Sequence, residues 1–268
     1  MGKLTGDVQL FRWDGGCAFI GSAPGIYPVH AHQPLQISCG MTGQVRLRSS
    51  DHEPWTSHDL AIVPFRYPHA FDAIDIDCDI VLFVEPETRE GRALTERYLQ
   101  HGIASIDNVR ATPAIAEMFA AFLGRRGETI IVEAMRRVVR ELTQGVEGAT
   151  VSDERVLRAI QYINARLNGT ITLDEVAAEV CLSPGRFRHR FAEQTGMGLR
   201  PYVLWRRFMH VWQVIMNGAS LAHAAHEAGF ADAAHLSRTS RQMIGVAPSA
   251  FRVSTSPVAL TSRHADLA

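Results

Sequence analysis

Histidine and glutamine side chains near the start of the chain are of types that can bind a metal or a small ligand. His30 and His32 are separated by one residue, Gln36 follows them, and His69 comes later. Imidazole nitrogens are good ligands for zinc and related cations, whereas the neutral amide of Gln36 is a poorer ligand than a carboxylate.

Catalytic patterns are not found elsewhere in the chain. The sequence has no glycine-rich phosphate loop, no nucleophile elbow and no tight pair of carboxylates with partners, so we expect that the protein is not an enzyme. Its four cysteines have no short paired spacing, which argues against a disulfide framework and a thiolate zinc site.

The composition is that of a folded protein. Of the 268 residues, 46% are hydrophobic and 21% are charged, and the length favours two domains over one. No run approaches the roughly 18 apolar residues that cross a bilayer, and residues 1–10 do not resemble a signal peptide. We therefore expect a cytoplasmic protein with no membrane partner.

The elements that must position the four polar residues are predicted to be strands. Residues 44–48, 59–63 and 74–80 alternate or are β-branched, and glycine and proline separate them, which favours a sandwich or a small barrel. Helical spacing then appears at residues 88–100, 113–123 and 128–143. The last of these has a stripe of Ile131, Met135, Val138 and Leu142, which either packs on the sheet or forms a seam between two copies.

Residues 152–252 are predicted to be helical, and this part of the chain also differs from the first part in its charge. Residues 1–150 contain 14 Lys and Arg against 19 Asp and Glu, a balance of −5, whereas residues 151–253 contain 12 against 8, a balance of +4. All the basic residues except Lys3 are arginines, which suit bidentate contacts with phosphate and guanine. The predicted architecture is α+β with two domains, residues 1–145 and 152–253, joined by a linker at 144–150.

A helix-turn-helix pattern occurs twice in the second domain. Residues 173–183 align with residues 221–231 at an offset of 48, and Phe187 aligns with Leu236 at an offset of 49. Each copy predicts a helix, a turn and a second helix, and a helix over residues 201–217 connects the copies. Two copies in one Arg-rich segment favour two DNA-binding units over an ordinary helical bundle.

The residue types at the turns and helix starts agree with this interpretation. Ala177 and Ala225 are small where two helices must approach, and Gly229 can adopt a left-handed turn, a freedom that Cys181 does not share. We therefore expect a different first turn. Ser183 is placed to cap the second helix. The outward faces of the two second helices give the candidate DNA contacts: Ser183, Gly185, Arg186, Arg188, His189, Ala234, His235, Ser237, Arg238 and Arg241.

The C-terminal domain resembles the AraC/XylS family of bacterial transcription regulators. The resemblance is most specific at residues 225–232, 236–238 and 245–252. It implies a double helix-turn-helix domain that binds promoter DNA and usually activates transcription by contacting RNA polymerase. The family commonly has a Phe at the position of Ser240 and polar residues at Ala233 and Ala234. Replacing Phe by Ser forfeits roughly 1.5–3 kcal/mol of burial, so we expect a looser second unit with weaker base readout.

The N-terminal motifs around His30–Gln36 and Pro64–His69 look like those of a cupin barrel, the usual sensor domain of many such regulators. This implies a cupin-like β-barrel with flanking helices. In metal-binding cupins two histidines, a glutamate and a later histidine bind a divalent metal, and the corresponding positions here are His30, His32, Gln36 and His69. Three interpretations stay open: structural histidines, polar contacts in an effector pocket formed by all four residues, and a divalent metal at His30, His32 and His69. We expect no cofactor, with that metal as the alternative.

The predicted function is a sequence-specific transcription regulator, namely an effector-responsive activator. Whether it forms a homodimer stays open. The competing hypotheses are a cupin metalloprotein or enzyme whose helical half serves assembly, and a regulator that senses no small molecule.

Overall fold

The computed structural model describes residues 6–108, 112–143 and 153–253. They form a β-rich N-terminal half and a mainly helical C-terminal half, which confirms the predicted α+β class. The linker predicted at 144–150 lies outside the described residues. The N-terminal strands are β1 (Gly6–Trp13), β2 (Gly16–Ser22), β3 (Ile26–His30), β4 (Leu35–Gly40), β5 (Val45–Arg48), β6 (Thr56–His58), β7 (Leu60–Val63), β8 (His69–Asp72), β9 (Asp79–Val84) and β10 (Ala104–Ile106).

The strands lie in two sheets. The larger sheet has the order β10-β7-β4-β9-β2-β1-β11, and the smaller has the order β3-β8-β5-β6. Among the described strands, ladder hydrogen bonds do not join the two sheets into the closed barrel that the cupin resemblance implied. Side chains from both sheets instead meet in a shared core, for example Val8 and Phe83 with Leu47 and Phe71.

Three helices flank the larger sheet: α1 (Arg89–Tyr98), α2 (Pro113–Leu123) and α3 (Glu128–Leu142). Ile131, Met135 and Val138 of α3 are buried in a cluster that also contains Ile37 and Leu82 from the sheet. The predicted stripe of α3 therefore packs on the sheet, and these three side chains are not free to form a seam between two copies.

The C-terminal half contains two helix-turn-helix units. Its elements are α4 (Glu154–Asn164), α5 (Leu173–Glu179), α6 (Pro184–Thr195), α7 (Leu199–Met216), α8 (Leu221–Glu227), α9 (Ala233–Ile244), a 3-10 helix (Pro248–Ala250) and β11 (Phe251–Val253). None of the helices that the structure describes combines the length and apolar character needed to cross a membrane.

Two predicted elements are wrong. Residues 74–78 form turns and bends, and the strand begins only at Asp79. Asp75 and Asp77 disfavour a regular strand here, and the carboxylate of Asp72 accepts the backbone N–H of Ile74 at 3.0 Å, which favours a turn. Residues 248–253 were expected to be helical, but they form the 3-10 helix and β11, which pairs in parallel with β1 through Gly6 and Phe251. A partner strand distant in sequence thus determines the conformation at this end.

The two helix-turn-helix units have different cores. The first unit has a cluster of its own, which includes Val176, Phe187 and Phe191. In the second unit, Ala225 and Leu236 belong to the cluster that continues between the two sheets. The second unit is consequently packed onto the N-terminal half, whereas the first unit has an independent core.

Candidate functional site

The first helix-turn-helix unit presents α6 to the solvent. Ser183 caps this helix as predicted, because its hydroxyl oxygen accepts the backbone N–H of Arg186 at 3.4 Å, and Pro184 occupies the first helical position. Phe187 and Phe191 are fully buried beneath the helix. Their burial fixes the rotation of α6, so the residues between them face outward.

The turns of the two units have the same geometry, contrary to the sequence-based expectation. Cys181 has a φ of 55° and Gly229 has a φ of 74°. Equivalent hydrogen bonds close both turns, from the Leu182 N–H to the Ala177 carbonyl and from the Phe230 N–H to the Ala225 carbonyl, each 2.9 Å. Cys181 therefore adopts the left-handed conformation despite its Cβ, at a cost of about 1–2 kcal/mol.

Ser240 is the position at which the sequence predicts a looser second unit. Asp232 caps α9 by accepting the backbone N–H of His235 at 2.6 Å. Ser240 is fully buried, and its hydroxyl donates to the Val246 carbonyl at 2.6 Å. A hydrogen bond thus takes the place of the aromatic burial that is common at this position in the family. The looser second unit and its weaker base readout stay predictions.

The candidate DNA contacts lie on the outward faces of α6 and α9. The exposed residues are Ser183, Gly185, Arg186, Arg188, His189, Ala234, Arg238 and Arg241, and His235 and Ser237 are half-buried. Their roles in DNA binding stay predictions.

The arginines on these faces differ from their neighbour Arg190 in their pairing. Arg186 and Arg188 on α6, and Arg238 and Arg241 on α9, form no ion pair with any residue that the structure describes. Arg190 is instead bound to Asp153 at 3.1 Å and to Glu193 at 3.2 Å. Four exposed guanidinium groups are thus free to meet phosphate or base edges.

The four polar residues predicted in the N-terminal half come together between the sheets. His30 and His69 are paired across β3 and β8, His32 lies in the loop after β3, and Gln36 is on β4. One ring nitrogen from each of the three histidines lies within 4.8 Å of those of the other two. All four side chains are buried.

Burial keeps the three imidazoles neutral at pH 7. It lowers the pKa of His30 to about 4 and that of His32 to about 3, where the charge of His30 adds to the effect. The pKa of His69 is also lowered by burial, and then by His30 and His32. Removing an imidazolium from water disfavours its charged form, and no carboxylate compensates here.

Backbone carbonyls fix the protons of the three rings. Each Nδ1 faces a carbonyl oxygen, that of Pro28 at 2.8 Å, Pro34 at 2.8 Å or Tyr67 at 3.0 Å. A carbonyl oxygen only accepts, so each neutral ring has its proton on Nδ1 and a lone pair on Nε2. The Nε2 atom of His69 has no hydrogen-bond partner among the described residues.

A cavity lies beside this cluster, where the two halves of the chain meet. Its volume is about 70 Å³, counted as space open to the centres of water-sized molecules. Residues of both halves line it, including Phe19, Tyr27, His30, Gln36, Phe71, Asp79, Phe83, Ile244 and Phe251. His32 and His69 are not among the lining residues.

The comparisons with known proteins agree with the two helix-turn-helix units. Residues 176–254 match the family described as a helix-turn-helix domain. The regulatory protein PocR of Salmonella typhimurium is 29% identical over 113 residues, and the arabinose operon regulatory protein of Escherichia coli K12 is 27% identical over 136 residues. The C-terminal half is an AraC-type helix-turn-helix domain. The resemblance to the AraC/XylS family is confirmed.

These matches span only part of each protein. The PocR match covers 42% of this chain and 37% of PocR, and the E. coli match covers 48% of this chain and 46% of the relative. The chain therefore spans less than half the length of these curated relatives.

Solved structures extend the similarity of fold to both halves. The crystal structure of ToxT from Vibrio cholerae O395 has a TM-score of 0.56 at 12% identity and covers 88% of this chain and 96% of ToxT. Another ToxT structure, described as bound to an unsaturated fatty acid, has a TM-score of 0.54 at 12% identity, with coverages of 93% and 96%. The AraC-type domain thus follows a β-rich domain in a ToxT-like arrangement.

The sequence predicts the residues of the histidine cluster, but it does not predict most of the residues that line the cavity beside the AraC-type domain. The sequence places Asp79 in the predicted strand 74–80, and the apolar residues that follow it, from Ile80 to Val84, indicate a buried strand. Ile244 and Phe251 were not predicted to reach the cavity. Their position depends on the docking of the second unit, which leaves no local pattern.

Proposed function

We propose that this protein is a sequence-specific DNA-binding transcription regulator that responds to a small effector. The main support for the proposal is the exposed face of each of the helices α6 and α9. Both faces have arginines with no ion-pair partner among the described residues. Such faces, at the second helix of a helix-turn-helix, suit contact with base edges in a major groove. The curated relatives are regulatory proteins, which supports the same function.

The helix between the two units sets their separation on DNA. α7 has 18 residues, which corresponds to about 27 Å at 1.5 Å per residue. Successive major grooves on one face of DNA recur every ~34 Å, so two reading helices at the ends of α7 suit two blocks about one helical turn apart. Ser183 and the first backbone N–H groups of α6 would hold a phosphate at the helix N-terminus.

The effector would act by changing the balance between arrangements of the two halves. A ligand shifts such a balance only if it binds one arrangement more tightly than the other. A cavity lined by residues from both halves meets this requirement. We further propose a cupin-like sensor domain, activation through contact with RNA polymerase, and work in the cytoplasm where the promoter is. A homodimer stays a prediction that light scattering of the purified chain would test.

Selection from randomised duplex DNA at two salt concentrations tests the DNA-binding proposal. The retained pool should contain two conserved blocks about one helical turn apart, and the blocks should persist at the higher salt concentration. Unselective binding that disappears with salt, as pure phosphate attraction does, would contradict the proposal.

The second candidate function is divalent metal binding at His30, His32 and His69. The arrangement fits a metal, because metal-bound histidines usually donate their other ring N–H to a carbonyl or carboxylate, as these three do to carbonyls. The Nε2 of His32 also lies 2.8 Å from Oε1 of Gln36. With the His32 proton on Nδ1, the Nε2 lone pair of His32 and the Oε1 atom of Gln36 repel each other. The repulsion is removed if a cation binds both atoms, or if the Gln36 amide is flipped so that its NH₂ group donates to Nε2.

Bound zinc would supply a Lewis acid or a structural cross-link at this position. Titration of the purified chain with Zn²⁺ in a calorimeter should give one site, which His69→Ala removes. His101→Ala, an exposed histidine outside the cluster, should keep it. Absence of a saturable site in the unaltered chain would exclude this candidate.

A further inference from the structure

The cavity between the halves has one carboxyl group and no lysine or arginine among its described lining residues. Asp79 supplies the carboxyl, and the other polar lining side chains are Tyr27, His30 and Gln36. Asp79 is only 8% exposed. Its carboxyl accepts its own backbone N–H, and it forms no ion pair with any residue that the structure describes. A buried carboxyl in this situation is costly unless a cation or a strong donor meets it.

The rest of the lining is aromatic and aliphatic. Phe19, Phe71 and Phe83 come from the sheets, and Tyr27 lies close to Phe71 with ring centroids 5.6 Å apart. The hydroxyl of Tyr27 donates to the Ala23 carbonyl, so it is already used. Aromatic faces attract cations as well as apolar groups, whereas they offer nothing to a carboxylate.

The size of the cavity limits the ligand. A water molecule needs about 10–15 Å³ of such space, so 70 Å³ holds a few waters. A single-ring or short-chain molecule therefore fits better than a long acyl chain.

We propose that this cavity binds a small hydrophobic primary amine, whose ammonium group pairs with Asp79 and whose apolar part packs among Phe19, Phe83 and Phe251. This inference rests on the proposed function, because it identifies the chemical class of the effector. Burial raises the pKa of Asp79 to about 7. A bound ammonium group would therefore stabilise the ionised form of Asp79, whereas a bound anion would be repelled by it.

A ligand in this cavity would contact residues of the second helix-turn-helix unit directly. Ile244 is the last residue of α9 and Phe251 is the first of β11, and both line the cavity. The backbone N–H of Ala31, between His30 and His32, also donates to the Gln242 carbonyl of α9 at 3.0 Å. The first unit has a separate core. The amine should therefore change DNA contacts made by α9 and leave those made by α6 nearly unchanged.

Three probes of the same size and shape test the charge preference in the unaltered full chain. Benzylamine, benzyl alcohol and benzoate are titrated into the protein at pH 7.5 by calorimetry, with melting temperature as a second readout. Benzylamine should bind at least tenfold more tightly than benzyl alcohol, and benzoate should not bind measurably. Equal binding of the alcohol, tighter binding of benzoate, or no binding of any probe would overturn the proposal.

Substitution of Asp79 tests whether this residue recognises the ammonium group. Asp79→Asn should remove the preference for benzylamine over benzyl alcohol. The matched control is Asp75→Asn, an exposed aspartate of the same segment, which should retain it. A preference that survives Asp79→Asn would overturn the assignment, and the probe series in the unaltered chain decides the matter even if that variant does not fold.

The DNA affinity of the ligand-free chain separates this inference from the proposed function. If the chain binds DNA selectively but does not bind benzylamine, the inference is overturned and the proposed function is not. Amine binding without selective DNA binding overturns the proposed function alone. With both intact, benzylamine should alter the affinity for a two-block site at least threefold and leave that for the α6 block alone within experimental error.

Discussion

Arg206 of α7 and Glu85, which directly follows β9, form an ion pair between the two halves of the chain, with Nη1 2.5 Å from Oε1. Both side chains are largely buried, at 23% and 16% exposure. Burial, and then the charge of Glu85, raise the pKa of the nearby Glu87. The guanidinium of Arg206 contacts the carboxyl of Glu85.

This pair should contribute more to stability than a surface pair does. In a double-mutant cycle of Glu85→Ala and Arg206→Ala, we expect a coupling free energy of about 1–3 kcal/mol, measured by denaturant unfolding. The exposed pair Glu117 and Arg137, with 53% and 46% exposure, is the control and should couple by less than about 1 kcal/mol. Equal coupling in the two cycles would contradict the importance of the pair for docking.

The free arginines of α6 and α9 should carry DNA affinity. Arg188→Ala and Arg238→Ala should each weaken binding to the selected site by about 1–3 kcal/mol, because each removes a phosphate or base contact. Both are exposed, so the melting temperature should not change by more than a degree or two. Fluorescence anisotropy with a labelled duplex measures the affinity.

The control for this prediction is Arg158→Ala, since Arg158 is exposed on α4 and outside the two reading helices. Its affinity should match that of the unaltered chain. If neither Arg188→Ala nor Arg238→Ala binds more weakly than this control, the assignment of the DNA-contacting faces is wrong.

Replacing Cys181 by glycine should stabilise the first unit. Cys181 has a φ of 55° and is exposed, so Cys181→Gly relieves left-handed strain without removing buried contacts. We expect a gain of about 1 kcal/mol in unfolding free energy. The converse change, Gly229→Ala, should be strongly destabilising, because a Cβ there would lie 2.3 Å from the Leu167 carbonyl oxygen. A loss of stability in Cys181→Gly would show that the turn is not strained.

The metal-free protein should lose stability in acid because of its buried histidines. The folded-state pKa of His30, about 4, is below the ordinary value of 6.5, so between these values the unfolded chain binds more protons. The unfolding free energy should therefore be fully present above pH 6.5 and fall as pH decreases toward 4, by up to about 1.4 kcal/mol per pH unit for each such histidine. Denaturant unfolding in the presence of a chelator measures this slope.

Substitution of His30 isolates the contribution of this histidine to the pH dependence of the unfolding free energy. His30→Asn should reduce the slope between pH 6 and pH 4.5 by about one proton, whereas His101→Ala should leave it unchanged, since His101 is exposed. An unchanged slope in His30→Asn would mean that His30 is not held neutral.

The local features of the helix-turn-helix units were predictable from the sequence. Ser183, Ala177 and Phe187 have the roles that their types indicated, because capping, close approach and burial on a helix depend on nearby residues. The four polar residues of the histidine cluster could likewise be grouped from the resemblance and their spacing.

The remaining features depend on contacts between distant parts of the chain. The strand at Phe251 forms because β1 offers an edge, and Asp79 is buried because two sheets and the second unit close around it. Cys181 adopts a left-handed turn because its flanking helices are already held by their own core. None of these causes is visible in a short window of sequence.

The ratio of affinities for the selected duplex and for a scrambled duplex of the same composition tests the central claim most directly. It should be measured with the full chain at two salt concentrations. Specific regulators typically prefer their site by about 10³-fold or more, and this ratio should persist while both affinities fall with salt. A ratio near one at both salt concentrations would contradict the proposal that this protein is a sequence-specific DNA-binding regulator.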